Sequence, residues 1–187
     1  MSIKLTQRYI GAHRDRTAQE GITLIELLVV IAILGILASV VLPRMSGGVE
    51  LAREKRAVFE MRQMENALYR YEDTHGVWPG DVDRNLPPGL EEFLASGDAD
   101  GWPDAPFPGS VYDWDVWDDP DNPGERIYQI SIRFCPMGGP IDACKFPHRE
   151  WADGFQVNSS MYWCLEGACR PHISEPVDYP GYCVNCP

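Results

Sequence analysis

Cysteine is missing from the first 134 residues of this 187-residue chain, and basic residues are scarce throughout. Sixteen lysines and arginines face 28 aspartates and glutamates, a net charge of −12. That deficit argues against a nucleic-acid backbone as the main partner, because phosphate binding needs clustered Lys and Arg. Lys145-Phe146-Pro147-His148-Arg149 is the one local basic candidate. No nucleophile–base arrangement, phosphate-cradling glycine loop or paired-carboxylate context stands out, so the sequence reads as a non-enzyme. The length suits one modest domain with its own core, and 16 prolines and 17 glycines make it loop-rich.

What the chain does have is one long apolar run. Residues 1–20 are polar and carry Lys4, Arg8, Arg14 and Arg16 against Asp15 and Glu20. Gly21 follows, then residues 22–42 read ITLIELLVVIAILGILASVVL. As a helix rising about 1.5 Å per residue, that run matches the roughly 30 Å of a bilayer core. It is too long for the apolar stretch of an ordinary secretory signal, and no A-x-A site follows it. Glu26 is the residue that a plain anchor does not explain. A carboxylate in a spanning helix costs about 2.5–3.5 kcal/mol on insertion scales and is by default functional. Against that stands its place near the helix start, where the macrodipole and headgroup region tolerate an acid. Basic residues also follow the run (Arg44, Arg53, Lys55, Arg56), so the positive-inside count is a near tie.

The segment Gly21-Ile22-Thr23-Leu24-Ile25-Glu26-Leu27-Leu28-Val29-Val30-Ile31-Ala32 closely resembles the processing signature of type IV pilins and type II secretion pseudopilins. In that family a prepilin peptidase cuts after the glycine and the new first residue is N-methylated. The family pattern has a glutamate at the fifth mature position and a proline at the twenty-second. A cut after Gly21 puts Glu26 and Pro43 at those positions, in register, while Ile22 stands where phenylalanine or methionine is usual. The resemblance implies a leader (1–21), an inner-membrane precursor with its head outside the cytoplasm, and later a periplasmic or cell-surface filament. It implies as partners other pilin copies and an inner-membrane assembly platform. Glu26 of one subunit would meet the Ile22 amine of a neighbour. Losing the leader removes four basic and two acidic residues, so −12 becomes −14.

Beyond the apolar run, Pro43 predicts a kink or local break of the helix, and Ser46-Gly47-Gly48 is a second weak point. The expected divisions are 22–48 for the transmembrane and assembly half of the helix, 49–75 for an amphipathic half, and 76–187 for a head. Ala57, Met61, Met64, Leu68 and Tyr71 recur at spacings of four and three, one apolar stripe for packing on a sheet. His75-Gly76 and Pro79 end the helix. Residues 87–95 could form a short helix. Tyr112, Trp114 and Val116 alternate with polar neighbours, as do Tyr128, Ile130, Ile132 and Phe134, across the turn-forming link DDPDNPGE, which predicts an antiparallel pair. Met161, Trp163 and Leu165 predict a third strand. The fold class is α+β: a long N-terminal helix on a small antiparallel sheet, with a disulfide-rich tail.

The six cysteines fall as Cys135-x8-Cys144, Cys164-x4-Cys169 and Cys183-x2-Cys186. Six cysteines permit fifteen pairings. Local pairing is the simplest, and Cys183 or Cys186 reaching back to the sheet is the alternative. The tail resembles the disulfide-bounded loop of many pilins in kind rather than in spacing. A zinc site from Cys164, Cys169, Cys183 and Cys186, or with His148 or His172, competes; the exported context favours disulfides. Two acidic loops are calcium candidates through Asp98 and Asp100, and through Asp118 and Asp121. Neither has full EF-hand spacing, and a solvated acidic face is the competing reading. No other cofactor is expected.

Overall fold

The computed structural model describes residues 22–94, 101–173 and 179–186, with side chains of residues 40–46 left aside. The chain divides into two compact units between Leu42 and Pro43. Helix α1 spans Leu24–His75. The backbone is helical through Pro43 and Ser46-Gly47-Gly48, so of the kink or local break expected there, the break does not occur. One proline removes one hydrogen bond and each glycine costs about 1 kcal/mol, and helix propagation on both sides outweighs that. The helix stops where the sequence places its end. Gly76 takes φ 71° and its N–H donates to the Glu72 carbonyl at 2.7 Å, a left-handed cap that suits glycine.

In the first unit every described side chain of residues 22–39 is exposed, leucines and isoleucines included. Among the described residues no helix is long and apolar enough to cross a membrane. The expected span covers residues 22–42, and its last three side chains lie outside the described set.

In the second unit the helix buries the predicted stripe. Ala57, Met61, Met64 and Leu68 are essentially inaccessible, and Tyr71 packs partly buried beside them. They lie against a sheet of β1 (Val111–Asp118), β2 (Arg126–Arg133), β3 (Ser160–Glu166) and β4 (Tyr182–Cys183), ordered β1-β2-β3-β4. β1 and β2 pair antiparallel with Trp114 opposite Ile130, and β2 and β3 pair antiparallel with Ile132 opposite Met161. The helix-side face carries Tyr112, Trp114, Ile130, Ile132, Met161 and Trp163, as alternation requires. The expected helix within 87–95 is a single 3-10 turn, Leu90–Glu92. β4 has no counterpart in the sequence reading; it pairs parallel to β3 through two residues, too few to show a period.

The opposite face of the sheet is not solvated. Gln129 and Ser131 are fully buried and Arg133 nearly so, because the segment after β3 lies across them. Arg133 Nη1 and Ser160 Oγ donate to the Pro171 carbonyl at 2.7 and 2.9 Å, and Gln129 Nε2 donates to the Arg170 carbonyl at 2.8 Å. Polar alternation therefore marks a second, hydrogen-bonded layer.

Candidate functional site

The start of α1 is set by two side chains. Thr23 precedes the first helical residue, and both its N–H and its hydroxyl donate to Glu26 Oε2 at 2.8 Å. The Glu26 N–H donates back to Thr23 Oγ at 3.3 Å. This reciprocal pattern is a capping box, which satisfies backbone donors that the first turn leaves orphaned. Its sequence signature, Thr-x-x-Glu ahead of an apolar run, stands in residues 23–26. Glu26 Oε1 makes no hydrogen bond among the described residues. Around it lie Ile22, Ile25, Leu27, Val29 and Val30, all at least half exposed. One carboxylate oxygen thus holds the helix start, and the other faces outward in an apolar surround. Gly21, the other half of the expected cleavage site, lies outside the described residues, as does the Pro43 side chain.

In the head all six cysteines pair locally: Cys135 with Cys144, Cys164 with Cys169, and Cys183 with Cys186. The zinc set is therefore consumed in disulfides. Cys183 does also reach the sheet, as part of β4. The Cys183–Cys186 loop is fastened to β3 by Asn185. The Asn185 Oδ1 accepts from the Cys164 N–H at 2.8 Å, and its Nδ2 donates to the Cys164 carbonyl at 2.7 Å, reproducing the two bonds a strand neighbour would make.

Of the calcium candidates, Asp98 and Asp100 lie outside the described residues. Asp118 pairs with Arg126 at 3.2 Å, and Arg170 bridges Asp119 and Asp121 at 3.3 and 2.8 Å. Asp119 is held below the usual carboxylate range by the Asn122 side chain and the Asp121 N–H. Among the described residues no group of three His, Cys, Asp or Glu is arranged to hold a metal.

The strongest electrostatics sit in the buried polar layer. Arg133 pairs with Asp113 at 3.1 Å and with Asp115 at 2.6 Å. Burial pushes Asp115 up to about 6, with Arg133 opposing. Burial and the Arg133 guanidinium push His172 down to about 4. On the helix side, Tyr112 donates to Glu60 at 2.6 Å, and burial pushes its hydroxyl far above the ordinary phenol range. The layer is an ion-paired floor beneath the segment that follows β3.

Comparison with known proteins gives one consistent picture. The model of the prokaryotic N-terminal methylation motif matches residues 16–42. Type II secretion system core protein G of Vibrio cholerae is 46% identical over 61 residues, 33% of this chain and 42% of that protein. Type IV major pilin protein PilE of Neisseria gonorrhoeae is 43% identical over 65 residues, 35% of this chain and 39% of that one. Core protein G of Escherichia coli is 47% identical over 63 residues, 33% and 43% of the two chains. The chain spans less than half the length of these curated relatives. No solved structure matches it. The N-terminal segment thus carries the prokaryotic N-terminal methylation motif, and the chain is similar over about a third of its length to type II secretion core protein G and to the type IV major pilin PilE.

Proposed function

We propose that the chain is a structural filament subunit of the type IV pilus or type II secretion pseudopilus kind, cut after Gly21 and methylated on Ile22. The observation that carries this reading is the register of the motif. One cut after Gly21 puts the apolar run at the new N-terminus and Glu26 five residues into it, within the segment that the methylation-motif model matches. The processing enzyme would be a prepilin peptidase, and insertion would proceed from the inner membrane through an assembly platform.

The capping box refines how such a subunit would dock. Cleavage creates an α-amine on Ile22, largely protonated at neutral pH since such groups titrate near about 8. Glu26 Oε2 stays on its own Thr23, and Oε1 is left for the Ile22 amine of a neighbouring copy. An unpaired charge in an apolar bundle costs several kcal/mol, and pairing offsets much of that cost. Addition in one axial stagger follows. The exposed leucines and isoleucines of residues 22–39 give the bundle its apolar contact surface.

Mass spectrometry and N-terminal sequencing of the protein from a membrane fraction test this. The expected species starts at Ile22 with one added methyl; a mature chain starting anywhere else refutes it. The second reading is a minor, tip-located subunit that binds a surface or an exported substrate. It is favoured by a head stapled by three disulfides. Low abundance beside a more plentiful pilin, measured by quantitative proteomics of sheared filaments, would select it.

A further inference from the structure

The three disulfides of the head differ in what surrounds their sulfurs. A disulfide opens when a thiolate attacks one sulfur and the other leaves as a thiolate. Access to the first sulfur and stabilisation of charge on the second therefore set the rate. Cys186 is the only exposed cysteine of the six, and its partner Cys183 lies half-buried in β4. The Cys186 N–H donates to Cys183 Sγ at 3.1 Å. A backbone donor aimed at that sulfur favours negative charge on it. Asn185 Oδ1 is farther from the same sulfur, at 3.7 Å, and accepts the Cys164 N–H. The other two pairs meet dipoles of the opposite sense. Cys164 Sγ lies 3.6 Å from the Gly167 carbonyl oxygen, and Cys169 Sγ lies 3.5 and 3.6 Å from those of Glu166 and Tyr128. Cys144 Sγ lies 3.7 Å from the Pro140 carbonyl oxygen, and its partner Cys135 is 3% exposed. Arg84 sits beside that pair, but its guanidinium donates to the Cys135 carbonyl.

We infer that Cys183–Cys186 is a thiol–disulfide exchange site that takes a dithiol as its substrate, while the other two disulfides are structural. The incoming thiolate attacks the exposed Cys186 Sγ and forms a mixed disulfide there. The Cys183–Cys186 bond breaks, and its electron pair leaves on Cys183 as a thiolate facing the Cys186 N–H. The second thiolate of the dithiol then attacks its own sulfur in the mixed disulfide and releases Cys186. The dithiol leaves oxidised, and its two electrons and two protons end on Cys183 and Cys186. Run in reverse, the reduced pair reduces another disulfide. The loop is also pinned by contacts that do not pass through the bond. The Val184 N–H donates to the Tyr162 carbonyl at 2.8 Å, Asn185 makes both its bonds to the Cys164 backbone, and Tyr182 stacks on Trp151 at 4.7 Å. Those contacts keep the two sulfurs close in the open form, ready to close again. The site does not depend on how, or whether, the chain enters a filament.

The test uses the full oxidised chain in detergent micelles. It is treated with dithiothreitol, quenched with N-ethylmaleimide at intervals and mapped by peptide mass spectrometry. Cys183 and Cys186 should be labelled together, about tenfold faster than any other cysteine. Low urea should leave that rate unchanged, because opening proceeds from the folded head. The doubly labelled protein should keep the tryptophan fluorescence of the oxidised form. The uncharged monothiol 2-mercaptoethanol, quenched early, separates the two sulfurs: its adduct should sit on Cys186 and the maleimide on Cys183. Removing dithiothreitol without a quench should restore the Cys183–Cys186 bond alone. Labelling of Cys164 and Cys169 as fast as that of Cys183 and Cys186 would overturn the assignment. So would six labels appearing together, which would mean opening through global unfolding, or a 2-mercaptoethanol adduct found mainly on Cys183.

Discussion

Along one helix, Leu34 is 58% exposed and Leu68 is 0% exposed. The same residue type in the same secondary structure thus serves two purposes. In residues 22–39 apolar side chains are exposed among the described residues, and they call for a surface supplied by lipid or by other helices. In residues 57–71 they recur at helical spacing and close a core with the sheet. The comparisons bear on the first region: the methylation motif matches residues 16–42, and each relative aligns with only about a third of the chain. The N-terminal segment is therefore built for contacts between molecules and the head for contacts within one. Breaking each region should give failures of different kinds.

The largest expected effect is in the first region. Glu26→Ala should leave the protein in the membrane and processed, but reduce its incorporation into filaments by roughly a hundredfold, the equivalent of about 3 kcal/mol for stranding a charge. Glu26→Gln separates two roles, because glutamine keeps a capping acceptor for Thr23 but loses the charge. If incorporation in Glu26→Gln is as poor as in Glu26→Ala, the charge matters; if it is normal, only the cap does. Immunoelectron microscopy with quantitation of sheared filaments reads both. Unfolding of the head should not move in either variant.

That contrast also explains what could be read without coordinates. Residues 22–42 announce themselves because membrane-length apolarity and one misplaced acid are one-dimensional signals. The stripe Ala57–Met61–Met64–Leu68 and the alternation in β1 and β2 are of the same kind, and the helix, the hairpin and the third strand followed from them. Local cysteine pairing was the simplest option and is the one found. What stayed hidden depends on residues distant in sequence. Asp113, Gln129, Ser131 and Arg133 look like a solvated strand face until the Arg170–Pro171 backbone covers them. The pocket beside Arg84 joins residues from five separate segments. At Pro43 and the two glycines the helix on either side outweighs the local breakers, and its backbone runs through them.

In the head the largest effect should come from its buried charges. Arg133→Met leaves Asp113 and Asp115 buried without their counter-ion and should cost about 3–5 kcal/mol in urea denaturation. Adding Asp113→Asn and Asp115→Asn should recover much of that, since neutral partners need no counter-charge. Filament incorporation should follow head stability here, unlike in the Glu26 variants, which keeps the two regions distinguishable. Smaller losses are expected from the staples. Replacing Cys135 and Cys144 by serine opens a loop with sequence separation 9, against 3 for Cys183 and Cys186. Loop-closure entropy then ranks the costs at about 3 and about 2 kcal/mol. An inverted order would mean that the β4 tail, rather than the loop, carries the stability of that end of the sheet.

The smallest effect is one of pH, and it is confined to the head. His172 has a folded pKa of about 4 against an ordinary value of 6.5, through burial and the neighbouring Arg133, with Arg84 acting the same way and Asp113 opposing. A depressed folded pKa means that the unfolded chain takes up the proton first. The stabilisation is complete above about pH 6.5 and is lost as pH falls towards 4. Asp115 runs the other way: its folded pKa of about 6 lies above the ordinary 3.8, so its contribution is present at low pH and lost as pH rises through 6. The raw profile of Tm against pH therefore mixes opposing slopes and is a poor test. The difference between wild type and His172→Gln removes the Asp115 part, which both share. Between pH 6.5 and 4 the wild type should lose roughly 2–4 °C of Tm relative to His172→Gln. A constant difference across that window would mean that His172 titrates normally and that the polar layer is open to water.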